Sequence, residues 1–151
     1  MNFHHRISRI TRPCMWLGAL VCLLSITPAL ADDGAGNFFL RRSKLMATTP
    51  THTGPGVRVW RMREDARSLT NLVELKGVLR RHIHPDARHS IMVVEGEIWF
   101  HIGNEKTEKL LVEGDYVSID AGVPHKYTVK GDRALLVTFD APANKKTTFL
   151  E

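Results

Sequence analysis

Four histidines carry the chemistry that this sequence can do: His82, His84, His89 and His125. In His82-Ile83-His84 the two rings are two residues apart, a spacing that on a strand puts both on one face about 7 Å apart along the backbone, near enough to converge on one ion. A turn built on Pro85-Asp86 lets the next strand run back beside the first and aim His89 at the same point. His125 closes the run Gly122-Val123-Pro124-His125, where the proline restricts the chain just before the ring. Neutral imidazoles bind zinc, iron, copper, nickel and, less well, manganese, so the four rings predict a site for a divalent transition metal.

Arg80 and Tyr127 are the next candidates, as catalytic residues. Each lies two residues from a ligand on the same expected strand and so shares its inward face. Arg80 can grip a substrate carboxylate with its forked guanidinium, and Tyr127 can donate a proton or support a ligand from behind. The competing reading has Arg80 at the barrel mouth paired with Asp86 or another acid, and Tyr127 as core filling. His52 and His101 are read as ordinary surface residues.

Short segments rich in Val, Ile, Leu and aromatics, punctuated by Gly, Asn and Asp about every ten residues, must position these side chains, and that pattern is all-β. Strands are expected over residues 57–62, 69–79, 81–84, 90–94, 97–102, 108–111, 116–119, 126–129 and 134–139. Two hairpins are predicted, one turning at Gly96 and the other at Gly103-Asn104-Glu105-Lys106. Alternation then sends His89, Ile91, Val93, Ile98, Phe100 and Ile102 inward and Trp99 and His101 outward. Ile91, Val93, Ile98 and Phe100 would make the pocket around the metal apolar.

The segment Gly77-x4-His82-x-His84-x4-His89-x6-Gly96 resembles the first motif of the cupin superfamily, and Gly114-x5-Asp120-x-Gly122-x2-His125 resembles the second. Val94-Glu95-Gly96-Glu97 looks like the family's inter-strand turn and Gly114-Asp115-Tyr116-Val117 like the turn opening its second motif. The likeness runs from about Leu69 to Phe139. It implies a single-domain cupin-like antiparallel β-barrel, the double-stranded β-helix or jelly roll, with His82, His84 and His125 in the places of the family's histidine ligands. The first glycine is one residue nearer the His-x-His pair than usual, and Asp120 and Val129 replace a proline and an asparagine. The larger departure is His89, which stands where a glutamate is usual. Four neutral ligands and no carboxylate would leave a divalent ion its full charge, polarise a coordinated substrate oxygen strongly and favour anionic substrates such as enolates or carboxylates.

The N-terminus is read separately. Arg6, Arg9 and Arg12 precede an apolar run over residues 14–26, then Pro28 and Ala29-Leu30-Ala31, the pattern of a signal peptide over residues 1–31 cleaved after Ala31. An uncleaved anchor is the alternative; a lipoprotein is disfavoured because Cys22 lies in mid-run after Val21. Either way a periplasmic or secreted domain is expected, with no stable membrane insertion once the signal is removed. Both cysteines, Cys14 and Cys22, leave with it, so no disulfide can form in the remainder. Of 21 Lys and Arg, three lie in that segment, leaving 18 against 16 acids, which with no basic block excludes a nucleic-acid partner. Residues 32–56 are read as an irregular arm and residues 57–151 as the barrel.

The combined expectation is an exported metal-dependent enzyme acting on a small oxygen-bearing substrate. Iron, manganese or zinc stand ahead of nickel or copper. The all-histidine set resembles that of small manganese, iron or zinc cupins, including some dioxygenases, so the resemblance ranks a dioxygenase first, with an isomerase or lyase second because the same Lewis-acid role serves both. The alternative is a non-catalytic module that binds a metal or small ligand. The resemblance to cupins that dimerise by exchanging or pairing edge strands also implies a homodimer, with an arm segment such as residues 38–45 covering a neighbour's strand edge.

Overall fold

Strands follow the alternating segments closely in the computed structural model of the chain, which describes residues 40–104, 106–143 and 146–151. The expected signal peptide and the start of the arm lie outside these residues. In chain order the elements are α1 (Arg42–Met46), β1 (His52–Gly54), β2 (Val57–Glu64), β3 (Leu69–Leu75), β4 (Val78–Ile83), β5 (Arg88–Ile102), β6 (Lys109–Leu111), β7 (Tyr116–Ile119), β8 (His125–Ala141) and β9 (Thr148–Phe149).

Two long strands organise the barrel. The first half of β5 pairs with β7 and with the second half of β8, while its second half pairs with β6 and the first half of β8. The second half of β8 continues to β3, β2 and β1, and its first half to β4 and β9. A curled antiparallel sheet therefore closes on itself as two facing halves. One apolar core unites them, with Val73, Ile91 and Leu136 from one half packed against Ile98, Phe100 and Val129 from the other. The chain is thus an all-β, cupin-like antiparallel barrel.

The hairpin expected at Gly96 does not form. The segments at 90–94 and 97–102 are one strand, and both pair with β8 rather than with each other. Gly96 instead marks the corner where β5 passes from one half-sheet to the other, through register shifts between Val93 and Glu95 and between Glu95 and Glu97. Its φ is +83°, and an added Cβ would lie 2.6 Å from the Arg133 carbonyl oxygen, so only glycine fits. Because alternation resumes after the corner, Ile98 and Phe100 are still buried beside Ile91 and Val93, and Trp99 is exposed. The expected strands at 126–129 and 134–139 likewise merge into β8. The expected strand at 69–79 divides instead, where Lys76-Gly77 separates β3 from β4.

The arm is less irregular than expected. Its α1 packs on the outside of the barrel, where Leu45 joins Trp60, Leu72 and Leu135 in a second apolar cluster. The Trp60 indole donates to the Thr48 carbonyl at 3.0 Å, which satisfies that cluster's buried N–H. Leu45 is therefore occupied within its own chain and is not available to cover a neighbour's edge. β1 adds to the sheet through His52↔Val59 and Thr53↔Arg58.

Candidate metal centre

Strand register brings the histidines together. His82 of β4 lies opposite His125 of β8, with ring centroids 4.2 Å apart. His84 follows the end of β4, where its carbonyl accepts from the Gly122 N–H at 2.8 Å and so ties the first histidine segment to the second. One ring nitrogen from each of His82, His84 and His125 lies within 4.8 Å of the others, and all three residues are buried. His89, on β5 beside β7 and β8, falls outside that group, although its ring centroid is 4.6 Å from that of His84 and 5.5 Å from that of His125.

Every one of the four rings has its Nδ1 engaged. His82 Nδ1 meets the Arg80 carbonyl at 2.8 Å, His84 Nδ1 the Lys146 carbonyl at 3.0 Å, and His125 Nδ1 the Val123 carbonyl at 3.0 Å. A carbonyl only accepts, so each Nδ1 carries the proton and each Nε2 keeps its lone pair for something else. His89 Nδ1 is held in the same way by the Asp140 carboxylate. This arrangement is what metal-ligating histidines require, since the bond at one nitrogen fixes the tautomer and aim of the other. His125 supplies a direct test of fit: its Nε2 is buried and has no hydrogen-bond partner among the described residues. An orphaned lone pair turned toward two more imidazoles suits a cation. Burial, followed by the positive charge that His82, His89 and His84 would add, pushes the His125 pKa down to about 3. The ring is therefore already neutral at ordinary pH, and an ion binding there displaces no proton from it.

Asp140 was not anticipated, and it places a carboxylate behind one of the rings rather than among the expected ligands. It is completely buried on β8 directly opposite His89, so a negative charge sits behind one of the rings. An ion at this centre would not act with its full charge, which weakens the expected preference for anionic substrates. Alternation could have revealed it, since Leu136, Thr138 and Asp140 share the inward face of β8, but the strand was expected to end at Phe139.

A cavity of about 860 Å³ opens against the cluster, reaching His82, His84 and His89 and walled by side chains such as Val73, Leu75, Ile91 and Leu136. His52 lies at its lining too, although exposed and assigned no role by the sequence. Tyr127 is buried with its ring stacked on Phe100 at 5.4 Å and within 5.6 Å of His125, and its hydroxyl has no partner among the described residues. Burial, then the nearby Asp140 charge, holds its pKa well above the ordinary tyrosine value, so it stays a phenol. Arg80 is exposed. Its guanidinium lies 5.1 Å from the centre of the Phe149 ring, and both residues line the cavity, beside a register shift between Leu79 and His82.

Comparison with known proteins agrees with this geometry. The model of the Cupin domain family matches residues 71–140. Quercetin 2,3-dioxygenase of Bacillus subtilis (strain 168) is 35% identical over 63 residues, which are 42% of this chain and 18% of that enzyme, so the match spans under a fifth of the relative's length. A Klebsiella pneumoniae protein with a double-stranded β-helix domain aligns with a TM-score of 0.59 at 22% identity, covering 68% of this chain and 91% of that one. The polyketide cyclase RemF from Streptomyces resistomycificus aligns with a TM-score of 0.65 at 16% identity, covering 77% of this chain and 87% of that one.

Proposed function

Since the chain belongs to the cupin superfamily, we propose that it is a metal-dependent enzyme acting on a small oxygen-bearing substrate, with oxidative cleavage by O2 as the leading reaction class. The observation that carries this reading is the His82, His84 and His125 cluster, its ligand atoms within 4.8 Å of one another beside a cavity of about 860 Å³. A closed structural metal site has no use for such a space, whereas a catalytic one keeps a position open toward it. The local likeness to quercetin 2,3-dioxygenase supports ranking a dioxygenase above an isomerase or lyase.

When bound, a divalent iron, manganese or zinc ion, or a nickel or copper ion in their place, supplies Lewis acidity at the open position. His82, His84 and His125 would hold it, and His89, oriented by Asp140, would be a fourth donor. The carbonyls of Arg80, Lys146 and Val123 keep the other three rings in the required tautomer. Tyr127, fixed as a phenol with its ring beside those of His82 and His125, holds a proton at its hydroxyl oxygen and can deliver it to a substrate oxygen in the cavity that it lines. Apolar walls exclude water and strengthen every charge interaction inside. Arg80 meets an approaching substrate at the cavity lining rather than at the reacting atoms.

Metal analysis of the purified chain, followed by oxygen-uptake assays with small diketones, enols and hydroxy acids, tests the reading. One ion per chain with substrate-dependent uptake is expected. A bound ion without any uptake moves the isomerase or lyase to first place, and no bound ion removes the enzyme reading. Export and self-association belong to the same proposal, on the strength of the signal-like residues 1–31 and of the resemblance to cupins that dimerise through their edge strands. N-terminal sequencing and light scattering of the exported protein should give Asp32 and twice the mass of the chain that begins there; an intact Met1 or a monomer overturns the respective point.

A further inference from the structure

One more pair of polar groups opens onto the cavity away from the histidines. Asn71 of β3 and Thr138 of β8 are register partners, are 6% and 5% exposed, and both line the cavity. Thr138 Oγ1 is buried without a hydrogen-bond partner among the described residues, an unfavourable state for a hydroxyl unless a ligand completes it. Strand geometry locates the pair. Thr138 is two residues from Asp140, about 7 Å along β8, and it lies opposite Ile91 as Asp140 lies opposite His89. The pair is thus the next rung of the wall that carries the His89 and Asp140 contact.

We propose that Asn71 and Thr138 form a subsite for an uncharged oxygen group, a hydroxyl or a ketone carbonyl, on an otherwise apolar molecule whose other end reaches the histidines. An amide and a hydroxyl each donate and accept, which suits a neutral oxygen of either kind. Among the described lining residues the ionisable groups besides the histidines are Arg80 and the Tyr127 phenol, and neither is a register partner of Asn71 or Thr138, so the rung itself offers a charged group no counter-charge. A site built to hydrogen-bond a substrate oxygen rejects the analogue without it far more strongly than a wholly apolar wall does. This inference rests on reading the cavity as a substrate site, but not on a metal being bound.

Fluorescence titration of the full chain with 2-naphthol and naphthalene, in metal-free protein and after loading with Zn(II), tests it. The metal-free chain should bind 2-naphthol about tenfold more tightly than naphthalene, the size of one made hydrogen bond. Thr138→Val should erase most of that preference while leaving naphthalene binding unchanged, and Thr138→Ser should keep it. Should the valine variant lose naphthalene as well, Asn71→Leu takes its place under the same requirement. A preference that survives both substitutions, a wild-type chain without preference, or one that binds neither probe overturns the subsite. Zinc uptake is read separately: a Thr138-dependent preference without zinc binding sinks only the metal-enzyme reading, and zinc binding with a Thr138-independent preference sinks only the subsite.

Discussion

The two faces of β8 carry opposite chemistry. Outward, Leu135 packs with Trp60, Leu72 and Leu45 in a cluster whose one buried polar atom, the Trp60 indole nitrogen, is satisfied. Inward, the same strand presents His125, Tyr127, Thr138 and Asp140, and the first three each hold a buried atom with no partner among the described residues. A buried polar atom left unpaired costs about 1–3 kcal/mol, so these three atoms weaken the folded chain, against the apolar burial that both faces of β8 contribute. The contrast teaches where this barrel has exchanged stability for a ligand.

His125→Ala should break the contrast most completely, abolishing stoichiometric metal uptake by equilibrium dialysis while shifting the unfolding of the metal-free protein less than a change in the outer cluster does. Trp60→Ala supplies that reference. It should lower stability by about 3–5 kcal/mol in urea unfolding, and the fraction that remains folded should still take up one ion; metal loss from folded Trp60→Ala would mean the two faces are not independent. Asp140→Asn is the sharper probe, since it keeps the shape and removes the charge behind His89. Loss of such a supporting carboxylate should weaken metal affinity about 10-fold to 100-fold in chelator competition, whereas an unchanged affinity would remove His89 from the donor set.

The smallest effect is confined to acid pH. His125 has a folded pKa of about 3 against an ordinary value of 6.5, so below 6.5 the unfolded chain takes up a proton that the folded chain refuses. Its contribution is fully present above 6.5 and is lost progressively as pH falls toward 3. Unfolding of the metal-free protein measured across that window should show this slope, and His125→Ala should flatten it.

Much of the outer and inner facing was legible before any fold was known, because alternation is local: Ile91, Val93, Ile98 and Phe100 lie on the buried side as their spacing demands. Strand 116–119 has the expected limits. What alternation cannot supply is the partner. The turn-like Glu95-Gly96 reads as a hairpin, and only the approach of Arg133 shows that it is a corner. His89 finds Asp140 from 51 residues away, a relation set by the pairing of β5 with β8 and by nothing within either segment. Arg80 shows the same limit: its place against Phe149 at the cavity lining depends on the pairing of β4 with β9, which nothing within β4 announces.

X-ray absorption on the metal-loaded full chain addresses the convergence of the rings most directly. One ion per chain, with imidazole nitrogens at about 2.0–2.1 Å for zinc, is the predicted result. A chain that retains no ion after equilibration with each candidate cation, or an ion surrounded by oxygen donors alone, would contradict it.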